Sequence, residues 1–494
     1  MERPLAAIIL AAGLGTRMRS TRAKVLHELG GEPMVARSIR AFAAVDPDPL
    51  IVVVGHQARA VEDAARRSQP SAKLHFAVQR EQRGTGDAAR CALAELPADF
   101  AGDVLIGYGD MPMLAATTLR AFAAAHHERE SSLSFISVTV PDPGAYGRVV
   151  RDSAGAVAAI VEARDASPAE RAINEINTGI YLADVRFLRT ALAELRPNNA
   201  QGQFYLTDII AITRQHGLPV EAWRVTPADE FMGVNSREEL ARMETQIREE
   251  INRRLMAAGV TLIDPATAYI GPEVVIAPDT MIGPNVQIMG KSRIGGGVLI
   301  EGTAWLRDVV VGDRCHLKLG VRAEACVIGE ECEIGPFANL REGTVLEGHN
   351  RIGNFVETKQ ARLGRGAKAS HLSYLGDATI GRETNVGCGV ITVTYDGYDK
   401  HRTAIGDNCM IGCDTQLIAP VTVGNDVYVA SGTTILHDVA DGALVMSHHP
   451  QRVKPGWTAQ WHERHANHPK ARAKAQGGKS DESKLNESKS NGGN

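Results

Sequence analysis

A six-residue period of aliphatic side chains in the second half of the chain constrains the fold more than any other feature. Ile270, Ile276, Ile282, Ile288, Ile294, Ile300 and Leu306 share one phase. Ile328, Ile334, Leu340, Leu346 and Ile352 form a second block; Ile405, Ile411, Leu417, Val423, Val429 and Ile435 form a third. An α-helix repeats near 3.6 residues and a half-buried strand at 2, so neither has six as its basic repeat. A parallel β-helix does. Three hexapeptides make one coil, and each aliphatic residue points inward, about 4.8 Å from its neighbour in the next coil. Such a prism serves equally well as a scaffold. Two polar stretches interrupt the pattern: 358–378, with Lys359, Arg362, His371 and Tyr374, and 393–403, with Tyr395-Asp-Gly-Tyr-Asp-Lys400. They predict loops on one face, where solenoids commonly bind.

The first half has another rhythm. Apolar runs at 5–10, 50–54, 74–78, 104–106 and 133–138 alternate with amphipathic stretches such as 34–45 and 88–96. This predicts a mainly parallel sheet covered on both faces, with ligands at the carboxyl ends of its strands. Leu10-Ala11-Ala12-Gly13-Leu-Gly15-Thr16-Arg17 follows the first run, with Lys24 close behind. Glycines there let backbone N–H groups approach a phosphate, and Arg17 and Lys24 bring two cations. The spacing is neither a P-loop nor a Rossmann fingerprint. Gln79, Gln82, Gly84 and Thr85 offer paired donors and acceptors suited to an uncharged base edge. Tyr108, Gly109 and Asp110 end another run, and a carboxylate there is the kind of oxygen ligand Mg²⁺ prefers. Gly147, Glu162, Asn177 and Asn235 also end apolar stretches; Glu162 and Asn177 suit sugar hydroxyls, and Asn235 suits a second metal oxygen. Each motif taken singly reads equally as a turn or a cap.

Ser236-Arg-Glu-Glu239 has capping-box spacing, and Leu240, Met243, Ile247, Ile251 and Leu255 continue it as one apolar stripe. The chain divides into 1–235, a connecting helix 236–259, a repeat region 260–457, and a tail 458–494 so poor in apolar residues that disorder is expected. Net charge is −4, with 54 Lys plus Arg against 58 Asp plus Glu. That balance argues against nucleic acid as a main partner. No run is apolar enough to span a membrane, and no signal peptide is visible. Seven cysteines without C-x-x-C spacing predict reduced, mostly buried thiols in a cytoplasmic protein, and no zinc site.

Jointly, Leu-Ala-Ala-Gly-x-Gly-Thr-Arg-Met, Lys24-Val-Leu-His, Gln-x-x-Gln-x-Gly-Thr-Gly, Tyr-Gly-Asp-x-Pro and Glu-Ile-Asn-Thr-Gly stand in the order of sugar-1-phosphate nucleotidyltransferases. With the repeat half, residues 3–457 resemble the bifunctional N-acetylglucosamine-1-phosphate uridyltransferase and glucosamine-1-phosphate acetyltransferase family. The resemblance implies a Rossmann-like α/β nucleotidyltransferase domain, a connecting helix, and a left-handed parallel β-helix that trimerises. It implies UTP, acetyl-CoA and Mg²⁺ as requirements. Gly13, Arg17 and Lys24 would meet the phosphates; Gln79, Gln82, Gly84 and Thr85 the uridine; Asp110 and Asn235 the metal; Gly147, Glu162 and Asn177 the N-acetylglucosamine. Leu10, Ala11, Ala12, Tyr108 and Gly109 complete that site. Arg341, Lys359, Tyr374, Asn385 and Lys400 would hold glucosamine 1-phosphate, with His371 as general base oriented by Glu357. Cys388, Thr394, Tyr395, Cys413, Ser431 and His448 would meet acetyl-CoA.

The chain departs from the family pattern at Ala23 (usually proline), Asp87 (often histidine), Thr394 (asparagine), Cys388 and Ser431 (alanines), Cys413 (serine) and His448 (arginine). Weakened acetyl-CoA binding is expected from Thr394 and His448. Other readings stay open: a uridyltransferase whose β-helix only trimerises, a nucleotidyltransferase for another base or sugar, and a non-catalytic regulator.

Overall fold

The computed structural model describes residues 3–69, 73–226, 228–447 and 451–468. Its first half is a nine-stranded sheet. Strands β1 (Leu5–Leu10), β2 (Leu50–Val54), β3 (Leu74–Val78) and β4 (Asp103–Tyr108) run parallel in the order β3-β2-β1-β4. β1 and β2 are covered on both faces, which explains their unbroken aliphatic runs. Ile8 and Ile106 pack with Ala89, Leu93 and Leu188 on one face. Ile9 and Val52 pack with Ile39, Phe42 and Phe122 on the other.

Beyond β4 the expected parallel pattern changes. β5 (Leu133–Thr139) is followed by a hairpin, β6 (Arg148–Arg151) and β7 (Val157–Val161). β8 (Glu175–Asp184) then inserts antiparallel between β4 and β5, and β9 (Val220–Val225) lies parallel to β5. Burial of β8 makes it look like its neighbours in sequence; its direction comes from the hairpin that feeds it.

The repeat half is one three-sided, left-handed parallel β-helix with faces of eleven, ten and nine short strands. Most strands are two or three residues long. Ile276 stacks on Ile294, eighteen residues on, but Ile294 stacks on Val311 and Leu306 on Ala323, seventeen on. These shorter coils explain why the six-residue phase jumps between blocks while the prism continues. An inward isoleucine or leucine contributes about 1.5–3 kcal/mol by burial. A single backbone hydrogen bond contributes about 0.5–1.5 kcal/mol net. One inward side chain therefore outweighs one backbone hydrogen bond of the ladder.

The stretch 358–378 is not a loop, which corrects the sequence expectation. Glu357 pairs with Tyr374 and Arg362 with Thr379, again seventeen apart. Thr358 and Ala369 fill inward positions, fully buried, so the aliphatic period vanished from the sequence without a break in the chain's path. Only the second stretch is an insertion. Thr379 pairs with Ala404, twenty-five residues on, and Ala404 with Thr422, eighteen on.

A helix spans Arg237–Ala257, with the Ser236–Glu239 capping box formed at its start. Met243, Ile247, Ile251 and Leu255 are buried in one apolar cluster running from Leu29 and Met34 to Ile435. Asn252 Nδ2 donates to the carbonyls of Pro265 and Ala268, and Gly30 N–H donates to Glu244. These contacts fasten the helix to both halves. The tail region begins with structure: a helix, Trp457–Arg464, whose Trp457 and Trp461 rings stack at 5.1 Å. Residues 469–494 and His448 lie outside the described residues. No described helix is long and apolar enough to cross a membrane.

Glu175, buried at the start of β8, accepts from Ser137, Arg151 and Arg224. Burial alone would raise its pKa, but these donors outweigh it and hold the carboxyl at about 2. An acid depressed from 4.5 gives stability that is complete above about pH 4.5 and is lost as pH falls towards 2. Glu175→Gln should therefore lower the urea midpoint at pH 7, with the gap from wild type closing as pH falls below 4.5. A gap that is independent of pH would remove the carboxylate from this role.

Candidate functional site

The first site lies at the carboxyl ends of β1 and β4, where the sheet opens. Gly109 N–H donates to Leu10 C=O and Ala11 N–H to Val53 C=O, so the glycine turn leaves β1 beside β2 and β4. Gly15 sits at φ +62°, and a Cβ there would stand 2.5 Å from Lys24 Cβ. A Cβ on Gly13 would meet nothing within 4 Å; it faces the open cleft. Ala23 N–H donates to Gln57 Oε1 at 2.8 Å, a bond that proline at this position would lack.

Two adjoining clefts share Tyr108, Asp110, Glu162 and Asn235 in their walls. The larger, about 550 Å³, is lined by Leu10 to Thr16, Lys24, Gln79, Gln82, Gly84 and Thr85. Gln79 Nε2 donates to Gly84 C=O and Asp87 Oδ2, so Asp87 orients the glutamine. Gly84 has φ +113°, and a Cβ there would strike the Phe204 carbonyl at 2.4 Å. Gln201, Gln203 and Tyr205 complete this wall; sequence reading missed them. Tertiary bonds bring them in, among them Gly86 N–H to Phe204 C=O, Phe204 N–H to Arg83 C=O and Leu206 N–H to Thr85 Oγ1.

The smaller cleft, about 370 Å³, is lined by Arg17, Gly147, Glu162 and Asn177. Arg17 lines this cleft, not the larger one. Gly179, at φ +87°, leaves space that the Tyr108 ring occupies. Asn177 donates to Tyr181 Oη at 2.6 Å and accepts from Gly179 N–H, fixing its amide. Burial pushes the Glu162 carboxyl up, opposed by the Thr207 hydroxyl. A desolvated carboxylate of this kind favours ligands that donate hydrogen bonds.

Between the clefts, Lys24 Nζ contacts Asp110 Oδ2 and lies 3.0 Å from Asn235 Oδ1. Asn235 comes from far along the chain. Val234 N–H donates to Asp110 C=O, and Asn235 N–H donates to Glu239 of the helix cap at 2.5 Å. The cap of the connecting helix thus positions a site residue. Two hard oxygens converging on one cation suit Mg²⁺, which takes few protein ligands and completes its shell with water and phosphate.

The second site follows the β-helix columns. Lys359 pairs with Gly376, and Arg341 stands one coil before Lys359, on the ten-strand face. Arg341 pairs with Glu357 at 2.8 Å and Lys359 with Glu342 at 3.3 Å. Glu357 therefore pairs with Arg341, and among the described residues no hydrogen bond joins it to His371. A Cβ on Gly376 would be 2.4 Å from Tyr374 Oη, so the tyrosine lies across the glycine beside Lys359. His371 is exposed at the adjoining corner, paired in register with Asn354. Lys400 is exposed on the inserted loop, bridged to Tyr395. That loop is braced by Asp396, which accepts from Tyr398 N–H and Asp399 N–H and contacts His401 at 2.7 Å. Asn385 is on the eleven-strand face, away from Arg341, Lys359 and Tyr374.

Cys388, Cys413 and Ser431 are exposed at one corner of successive coils. Thr394 is buried, its carbonyl accepting from His401 N–H, while Tyr395 is exposed with its hydroxyl on Gly397 C=O. The expectation of mostly buried thiols holds for Cys315, Cys326, Cys332 and Cys409, not for Cys388 and Cys413.

Three family profiles match the chain: the MobA-like NTP transferase domain over residues 7–175, the GMPPB C-terminal domain over 258–352, and the bacterial transferase hexapeptide over 402–437. A protein of Pelobacter propionicus called Bifunctional protein GlmU is 47% identical over 453 residues, covering 92% of this chain and 98% of its own. Proteins of the same name from Trichlorobacter lovleyi and Mycolicibacterium vanbaalenii are 44% and 42% identical, each covering 92% or more of this chain. They cover 97% and 93% of their own lengths.

Proposed function

The chain belongs to the family of the bifunctional protein GlmU, and from that membership and its two sites we infer that it makes UDP-N-acetylglucosamine in two steps. The β-helix acetylates glucosamine 1-phosphate, and the α/β half, residues 1–235, joins the product to UTP with release of pyrophosphate. The observation that carries this reading is two chemically different sites on two folds of one chain. One gathers a cation, an acid and an amide beside a glycine turn. The other gathers two cations and a tyrosine on a β-helix face, beside an exposed histidine.

In the acetyl-transfer step His371 takes a proton from the attacking amine as general base. The C–N bond forms as the thioester C–S bond breaks and the CoA thiolate leaves. Arg341, Lys359 and Lys400 hold the phosphate. Acetyl-CoA runs along the corner of Cys388, Cys413 and Ser431. In the second step a phosphate oxygen of N-acetylglucosamine 1-phosphate attacks the α-phosphorus of UTP, and pyrophosphate leaves. Gln79, Gln82, Gly84 and Thr85 hold the base, and Gly147, Glu162 and Asn177 the sugar. Arg17 and Lys24 stabilise charge at the phosphates. Asp110 and Asn235 would hold Mg²⁺, which supplies further charge stabilisation there when bound.

The α/β site makes a regulator without activity the poorer reading. The protein is assigned to the cytoplasm, in keeping with its nucleotide and CoA substrates. We further infer a homotrimer. Phe337, Phe355 and Leu372 form an exposed column, each at positive φ, with the two rings stacked at 5.7 Å. Bulky residues rarely hold that backbone conformation. A second copy seated on this corner would also bring an eleven-strand face, with its Asn385, towards the ten-strand face of the first.

Asp110→Ala should abolish uridylyl transfer from UTP while leaving acetylation of glucosamine 1-phosphate intact. His371→Ala should do the reverse, slowing acetylation about 10²–10⁴-fold. Equal losses of both activities in either variant would contradict two separate sites. Wild type should sediment as a trimer and Phe355→Asp as a smaller species; a monomeric wild type would overturn the trimer.

A further inference from the structure

Cys388 and Cys413 are the two exposed thiols of the seven, and all seven are free. They hold the same place in consecutive coils. Val386 pairs with Ile411, Asp414 N–H donates to Cys388 C=O at 2.7 Å, and Gly432 N–H donates to Cys413 C=O at 2.8 Å. A Cβ on Gly387 would stand 2.6 Å from the Cys413 backbone nitrogen, so the two chain segments are in direct contact. In-register residues of adjacent parallel strands lie about 4.8 Å apart. A disulfide needs Cα atoms roughly 4.4–6.8 Å apart. Cys388 lies between Gly387 and Gly389, and Cys413 follows Gly412, so three of the four flanking residues carry no side chain to screen the sulfurs.

The column continues to His371. Lys368 pairs with Asn385, a step of seventeen, and the same step carries His371 to Cys388. His371, Cys388 and Cys413 thus occupy one corner over three consecutive coils.

We propose that Cys388 and Cys413 form a dithiol modification site that closes to an intramolecular disulfide and thereby shuts off acetyl transfer while sparing uridylyl transfer. The proposal rests on the assignment of acetyl transfer to this face. The oxidant is a low-molecular-weight disulfide such as oxidised glutathione. The thiolate of one cysteine attacks it, its S–S bond breaks, and one glutathione leaves as thiolate. The second cysteine then attacks the protein-bound sulfur and releases the second glutathione. Two electrons pass from protein to reagent, and the two thiol protons end on the released glutathiones. The new bond spans the two corners just beyond His371, across the path that the acyl thioester must take.

The four buried thiols, Cys315, Cys326, Cys332 and Cys409, are poor competitors. Burial pushes Cys326 up to about 12. Cys315 and Cys332 also stack in neighbouring coils, with Cys332 N–H donating to Cys315 Sγ, but both point into the buried interior. Reactivity towards an external disulfide follows exposure and thiolate character.

The test treats the full-length protein with oxidised glutathione, caps residual thiols, maps peptides by mass spectrometry, and assays both activities before and after dithiothreitol. The expected result is a Cys388–Cys413 linked peptide, two of the seven thiols lost, acetyl transfer lost and restored by dithiothreitol, and uridylyl transfer constant. Cys388→Ser and Cys413→Ser, each compared with its own reduced form, should yield a glutathione adduct and no internal link. Absence of the link in wild type would overturn the proposal. So would a complete link with acetyl transfer equal to that of the reduced protein. Absence of acetyl transfer already in the reduced protein would instead overturn the assignment of that reaction to this face, because the mapping reads the link independently.

Discussion

Each coil of the β-helix finds most of its backbone hydrogen-bond partners in the coils before and after it. A strand of two residues, such as Val327–Ile328 or Glu333–Ile334, has no stability of its own and exists because its neighbours repeat it. That dependence fixes the register, and the register fixes the outside as firmly as the inside. Side chains seventeen or eighteen residues apart come into columns about 4.8 Å apart. Arg341 and Lys359 are neighbours for this reason, as are Asn354 and His371; Cys388 and Cys413 are twenty-five residues apart and meet in the same way across the inserted loop. The scaffold thus acts as a ruler on which charged and nucleophilic groups are spaced.

The α/β half solves a different problem. Its functional groups come from chain segments far apart, and hydrogen bonds of ordinary secondary structure gather them. Asn235 is the clearest case. The capping box that starts the connecting helix also holds the Asn235 N–H, and Val234 ties the segment to the Asp110 carbonyl. The element that fastens the two halves together therefore also places a proposed metal oxygen, which makes the geometry of the first site sensitive to the docking of the helix.

Much of this was legible in the residues. The glycine turn and the hexapeptide blocks were legible because local constraints, such as close backbone approach and inward stacking, dictate their residue types, and the Gln79 and Tyr108 motifs line the clefts. What was not legible depended on partners distant in sequence. The direction of β8 follows from the hairpin before it. Gln201, Gln203 and Tyr205 enter the larger cleft through pairing with the segment at Arg83 and Gly86. The stretch 358–378 looked like a loop because Thr358 and Ala369 replaced aliphatic residues inside the prism, and because a seventeen-residue coil shifts the phase. The placement of Asn385 on a different face from Tyr374 required a register count that the broken period concealed.

The central claim is that two independent sites on one chain act in sequence through a diffusible intermediate. Mixing equal amounts of the Asp110→Ala and His371→Ala proteins with glucosamine 1-phosphate, acetyl-CoA, UTP and Mg²⁺ tests it most directly. The account predicts that neither variant alone forms UDP-N-acetylglucosamine at an appreciable rate and that the mixture does, since each supplies the step the other lacks. A mixture as inactive as its parts, with both proteins folded, would contradict it.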